Sequence, residues 1–127
     1  MLISDGRFLL TKRSPNKGFP NMWESTGGSA LAGDDSLTAA IREVREETGL
    51  ELDPGRGELL WTLQGEDYFA DIWLFRQDFY LSEVVLLEGE TCDKMYASTE
   101  DIQRLREEGK IVPFSYLDRL LEHIHNG

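Results

Sequence analysis

Between Gly27 and Leu50 the chain reads GGSALAGDDSLTAAIREVREETGL, and two stripes of side chains run through it. Leu37, Ala40, Ile41, Val44 and Thr48 recur at steps of three and four, the period of a helix with one face buried against a sheet. Asp35 is placed to cap the first turn and Gly49 to end the last, so the pattern predicts a helix over residues 36–48. On its other face stand Glu43, Glu46 and Glu47 at i, i+3 and i+4. Three carboxylates aimed at one volume repel each other and weaken an isolated helix. A divalent cation among them explains the arrangement most easily. The plainer alternative is a solvated acidic face, and the flanking glycines with Arg42 are what weigh against it.

In register, the stretch resembles the Nudix box, GX5EX7REUXEEXGU, where U is aliphatic: Gly28, Arg42, Glu43, Val44, Glu46, Glu47, Gly49 and Leu50 all match. One position departs, because Asp34 stands where the box has its first Glu. An acid is retained there on a side chain one methylene shorter. The resemblance is specific over residues 28–50, with weaker likeness in the preceding RSPNKGFPNMWE. Gly27 and Gly28 also invite comparison with a phosphate cradle, but no GK[ST] follows at P-loop spacing.

One hundred and twenty-seven residues suit a single domain, 1–127, that buries a core without disulfide staples. The net charge of −11 argues against general nucleic-acid binding, which needs basic surface to displace counterions. The charge is unevenly spread. Arg7, Lys12, Arg13 and Lys17 against Asp5 make residues 1–20 carry +3, leaving −14 elsewhere. A basic opening beside an acidic metal site suits a substrate with phosphates. Cys92 is the only cysteine, which excludes an internal disulfide and a thiolate zinc cluster and fits a reducing, cytoplasmic setting. No apolar run reaches bilayer length and the first residues lack a signal-peptide pattern, so no membrane association is expected.

Residues 1–13 read as a short strand, an Asp5-Gly6 turn and a second strand. The opening strand is brief for a domain of this kind. Either the chain begins late, or another element covers an exposed edge, as a homodimer would. Residues 14–26, broken by Pro15, Gly18 and Pro20, read as a loop in which Arg13 and Lys17 are candidates to bind substrate phosphate. Solvated loop cations are the alternative. Trp23 is expected to pack beside the box. DPGRG at 53–57 is a turn, and the segments 58–64 and 68–80 are neighbouring antiparallel strands. Residues 81–87 are expected to continue the sheet. Glu88 and Glu90 then flank Gly89 on a loop. Ser98 opens a second helix with a capping box, and a third follows Pro113. His123 and His125, two apart, point in different directions on that helix and are expected to be solvated.

These elements predict an α/β fold, an α/β/α sandwich around a mixed β-sheet, and the Nudix resemblance implies the same architecture. It further implies a metal-dependent hydrolase of a diphosphate linkage, in a nucleoside diphosphate joined to another moiety, using Mg2+ or Mn2+. The resemblance makes Glu43, Glu46 and Glu47 the metal-holding carboxylates, with the Gly28 carbonyl as a further ligand and Arg42 orienting a box carboxylate. It places the general base among Glu46, Glu47 and Glu90. Hard oxygen donors suit such cations, which neutralise phosphate and acidify an attacking water. Two rivals share the fold: a non-catalytic nucleotide-binding regulatory module and an isopentenyl diphosphate isomerase. The isomerase needs a cysteine and a histidine where this chain has Gly27 and Ser29. The partner of the diphosphate stays open among ADP-ribose, a damaged nucleoside triphosphate, a dinucleotide polyphosphate and a non-nucleotide diphosphate.

Overall fold

The computed structural model of the chain describes residues 1–26, 29–33 and 35–126, without the side chains of Ser29 and Asn126. Its strands are β1 (Leu2–Ser4), β2 (Arg7–Arg13), β3 (Trp23–Ser25), β4 (Ser29–Leu31), β5 (Gly57–Gln64), β6 (Phe69–Arg76) and β7 (Thr91–Ala97). The helices are α1 (Ser36–Thr48), α2 (Thr99–Glu107) and α3 (Leu117–Asn126).

The sheet is mixed and forked. Its path runs β3-β2-β1-β6-β4, with β7 also on β2 and β5 also on β6. β1 joins the halves, antiparallel to β2 (Ile3 opposite Phe8) and parallel to β6 (Leu2 opposite Phe75). A strand residue has only two edges, and Leu10 to Lys12 pair with both β3 and β7, so β3 and β1 share one edge of β2 while β7 takes the other. β1 therefore lies inside the sheet, and the exposed N-terminal edge that argued for a homodimer is absent there. Asp5 (φ 51°) and Gly6 (φ 76°) both adopt the left-handed region, as a two-residue primed hairpin turn requires.

Alternation along the strands feeds two cores. Phe8, Leu10, Ile72 and Leu74 pack with Ile102, Ile111, Leu117 and Leu120 on the side of α2 and α3. Leu2, Leu9 and Phe75 pack with Ala40, Val44, Leu50 and Phe79 on the side of α1. The result is the expected α/β/α sandwich. Trp23 packs, but against the first core on the α2 and α3 side and not beside the box helix as expected.

The box helix has the expected bounds, and Gly49 (φ 79°) closes it by donating its N–H to the Arg45 carbonyl. Asp35 makes no side-chain cap, contrary to expectation. In α2 the capping box is present: the Ser98 hydroxyl accepts from the Asp101 N–H at 3.1 Å, and the Asp101 carboxylate accepts from the Ser98 N–H at 3.0 Å.

Three departures concern the sheet. The expected loop at 14–26 contains β3, β4 follows at Ser29–Leu31, and residues 81–87 are not a strand. Leu81–Glu83 is a single 3-10 turn, and the strand comes later, as β7. His123 also differs. It is half-buried, 3.4 Å from the Glu58 carboxylate and edge-on to Trp61. Among the described residues no helix is long and apolar enough to cross a membrane.

Gly57 shows how closely β5 and α1 approach β6. A Cβ there would meet the Phe75 ring at 2.9 Å and the Leu37 side chain at 3.1 Å. The ring is fully buried and has little room to retreat. Gly57→Ala should thus lose about 1–3 kcal/mol in urea unfolding, the usual cost of overpacking. Unchanged stability would mean that the ring is loosely held.

Candidate functional site

The end of β2 is the scaffold. A bulge between Lys12 and Arg13 shifts the β7 register, so that Lys12 faces Asp93 while Arg13 faces Thr91. The Ser14 N–H donates to the Glu90 carbonyl at 3.0 Å, which places the start of β7 beside the loop leaving β2. That loop is closed by Arg13: its N–H donates to the Met22 carbonyl at 2.8 Å, and its carbonyl accepts from the Asn21 N–H at 3.1 Å. Phe19 (φ 50°) and Asn21 (φ 60°) take left-handed conformations to make the turn.

Both candidate phosphate binders already hold carboxylates. Arg13 donates from Nη1 to Glu24 at 3.0 Å and from Nε to the Gly18 carbonyl at 2.6 Å. Lys17 donates to the Glu90 carboxylate. Thr11, Lys17, Glu24, Glu47, Leu87, Glu90 and Thr91 wall one small cleft of about 60 Å³. Basic loop and acidic helix thus meet there. The Lys17 ammonium, by hydrogen bond and by charge, holds the Glu90 carboxyl below its ordinary range, with a smaller pull from Arg13.

Among the described box residues, only Glu47 walls the cleft. Glu43 is half-buried, and burial raises its carboxyl above the ordinary range, opposed by Arg42 and reinforced by Glu46. Arg42 Nε lies 3.9 Å from Glu46, an exposed i, i+4 pair. Gly28, the expected carbonyl ligand, and Asp34 lie outside the described residues. Among the described residues no three His, Cys, Asp or Glu side chains converge closely enough to enclose a metal ion.

Sequence reading missed Glu24. It lies on β3, where Lys12 faces Trp23 and Thr11 faces Glu24, and alternation sends Trp23 to the core and Glu24 to the cleft. With the segment read as a loop, no face could be assigned to it. A separate apolar hollow of about 370 Å³, walled by Phe19, Met22, Ile111, Pro113, Phe114 and Leu117, lies on the α2 and α3 side and contains none of the expected site residues.

Comparison with known proteins places this geometry. The family model for the NUDIX domain matches residues 1–120. The chain is 36% identical over 117 residues to an uncharacterized Nudix hydrolase of Listeria monocytogenes, covering 91% of this chain and 69% of the relative. It is 30% identical over 121 residues to the oxidized purine nucleoside triphosphate hydrolase of Danio rerio, covering 92% and 68% respectively. Its fold is similar to the crystal structure of a MutT protein from Methanosarcina mazei, with a TM-score of 0.65 at 23% identity over 99% of this chain and 88% of that one. With the box in register on α1 and the family model spanning nearly the whole chain, the protein belongs to the Nudix hydrolase family, which acts on nucleoside diphosphate derivatives.

Proposed function

We propose that the chain hydrolyses the diphosphate linkage of a nucleoside diphosphate derivative by water attack on phosphorus, with Mg2+ or Mn2+ as cofactor. The observation that carries this reading is the cleft in which Glu47 of the box helix meets Lys17, Glu24 and Glu90. The donor set fits the ion. All candidate ligands are hard oxygen donors, and Mg2+ keeps several waters, needing only one or two carboxylates plus substrate phosphate. An enclosing cage of three side chains is therefore not required.

Glu43, Glu46 and Glu47 would hold the metal, with Glu90 as a further carboxylate from the cleft wall, and the Nudix resemblance adds the Gly28 carbonyl as a ligand. Bound there, the ion would offset phosphate charge and acidify an attacking water. Arg13 and Lys17 would leave Glu24 and Glu90 for the phosphate oxygens. The Lys17–Glu90 pair is half open to solvent and the Arg13–Glu24 pair half-buried, so each cation exchanges one oxyanion for another at the cleft wall. The proton acceptor is drawn from Glu46, Glu47 and Glu90. The water oxygen bonds to one phosphorus, its proton passes to that carboxylate, and the bond from the phosphorus to the bridging oxygen breaks.

Hydrolysis in 18O-labelled water tests the reaction type: the label should appear in a phosphate product, and label only in a non-phosphate product would contradict it. The Danio rerio relative's name supports including an oxidised purine nucleoside triphosphate among the substrates tried. Arg13→Ala and Lys17→Ala should each raise KM roughly 10- to 100-fold while lowering kcat far less, the loss expected for a charged hydrogen bond made in ground and transition states alike. An unchanged KM would return the residue to a structural loop role.

A further inference from the structure

β6 carries one acidic residue that its apolar neighbours enclose. Asp71 is only 6% exposed, between Ala30 of β4 and Thr62 of β5. Its carboxylate accepts from Ser36 Oγ at 2.6 Å on one oxygen and from Thr62 Oγ1 at 2.6 Å on the other. Trp73 Nε1 in turn donates to Ser36 Oγ at 3.1 Å. Ser36 is the first residue of α1 and is itself buried. These hydrogen bonds outweigh burial and hold the Asp71 carboxyl below its ordinary range. A buried carboxylate this fully bonded is costly to build and rigid once built.

Its place on α1 gives the network a use. The helix rests on Ser36, Ala40, Val44 and Thr48, a stripe of small side chains one turn apart. Leu37 and Ile41 pack beside that stripe, and the hydrogen bonds at Ser36 add a directional tie that apolar contacts, which are non-directional, do not supply. The C-terminal end is tied by the Val85 N–H, which donates to the Thr48 carbonyl at 2.8 Å. At the other end Asp35 makes no side-chain cap, and the polar anchor comes from β6. A negative charge there also complements the helix dipole. Glu43 lies two turns further on, with Glu46 and Glu47 behind it, so any sliding or tilting at Ser36 is carried to all three carboxylates.

We propose that Asp71 is a positioning residue: through Ser36 it fixes the start of α1 and thereby where that helix carries Glu43, Glu46 and Glu47. The inference rests on those glutamates holding the metal. Displacements of about half an ångström matter to such sites, and since losing a direct hydrogen-bond partner of a metal ligand weakens affinity by about 10- to 100-fold, an anchor that acts through the helix belongs at the lower end of that range.

Mn2+ titration of the full chain by electron paramagnetic resonance, without substrate, tests it alongside thermal unfolding. Asp71→Asn and Ser36→Ala should each weaken Mn2+ binding roughly tenfold in the folded protein, and the double variant should be little worse than either single one. Thr62→Val cuts a bond that does not reach α1 and should leave Mn2+ affinity within about twofold. If Asp71→Asn does not fold, Ser36→Ala and Thr62→Val carry the comparison. Lowered unfolding temperatures with unchanged Mn2+ affinity in Ser36→Ala would overturn the proposal and leave the network purely structural. Should the wild type bind Mn2+ no better than Glu47→Gln, the metal reading fails separately, and with it the claim on the carboxylates. Amide exchange at Ala39 and Ala40 then decides the anchoring itself: faster exchange in Ser36→Ala supports it, and unchanged exchange overturns it.

Discussion

Glu47→Gln is expected to cut metal-dependent turnover by about a hundredfold or more while leaving the chain folded. Loss of an outer-shell partner already costs about 10- to 100-fold in metal affinity or activity, and a direct ligand should cost no less. The amide keeps the shape of the carboxylate and removes its charge at the one described box position that walls the cleft. Glu47 is exposed on α1, but its charge also favours the buried Met1 ammonium, so unfolding in urea should show a modest loss of stability beside the far larger loss of turnover. Comparable losses of activity and stability would instead mark Glu47 as a structural residue.

The largest stability effect is expected at Phe75. Its ring is fully buried in the α1-side core with Leu2, Leu9 and Val44, and its backbone N–H donates to the Met1 carbonyl where β1 joins the two halves of the sheet. Phe75→Ala should cost about 3–5 kcal/mol, the lost transfer energy plus the cavity left behind. Whole domains are stable by only about 5–15 kcal/mol, so this single change removes much of the margin. Urea unfolding with an unchanged slope measures it, and a loss under about 1 kcal/mol would show that the core collapses around the gap.

The box helix was legible because its signals agreed: periodicity, a glycine stop and a charged face all named residues 36–48. The N-terminal signal misled only in mechanism, since the anchor is Ser36 to Asp71 and Asp35 makes no side-chain cap. β3 and β4, at three residues each, are too short to display a period of two. Residues 81–87 look like a strand because they are apolar, yet their backbone is held by side chains in place of a ladder. Tyr96 Oη accepts from the Leu81 N–H, and Lys94 Nζ donates to the Val84 carbonyl. Those partners lie on β7, whose mixed TCDKMYA hides its strand character. Glu24 and Asp71 depend on which strands become neighbours, and that information is tertiary. Asp71 still left a trace, an acid on the same alternating face as Trp73 and Phe75 in an otherwise apolar run.

The most direct measurement is phosphate release from a panel of nucleoside diphosphate conjugates, nucleoside triphosphates and isoprenoid diphosphates. It is run with and without Mg2+ or Mn2+, on wild type and Glu47→Gln, adding phosphatase where the product requires it. Turnover of one class that needs the metal and disappears in Glu47→Gln is the predicted result. Nucleotide binding with no turnover of any class would contradict it and point to a regulatory binding module.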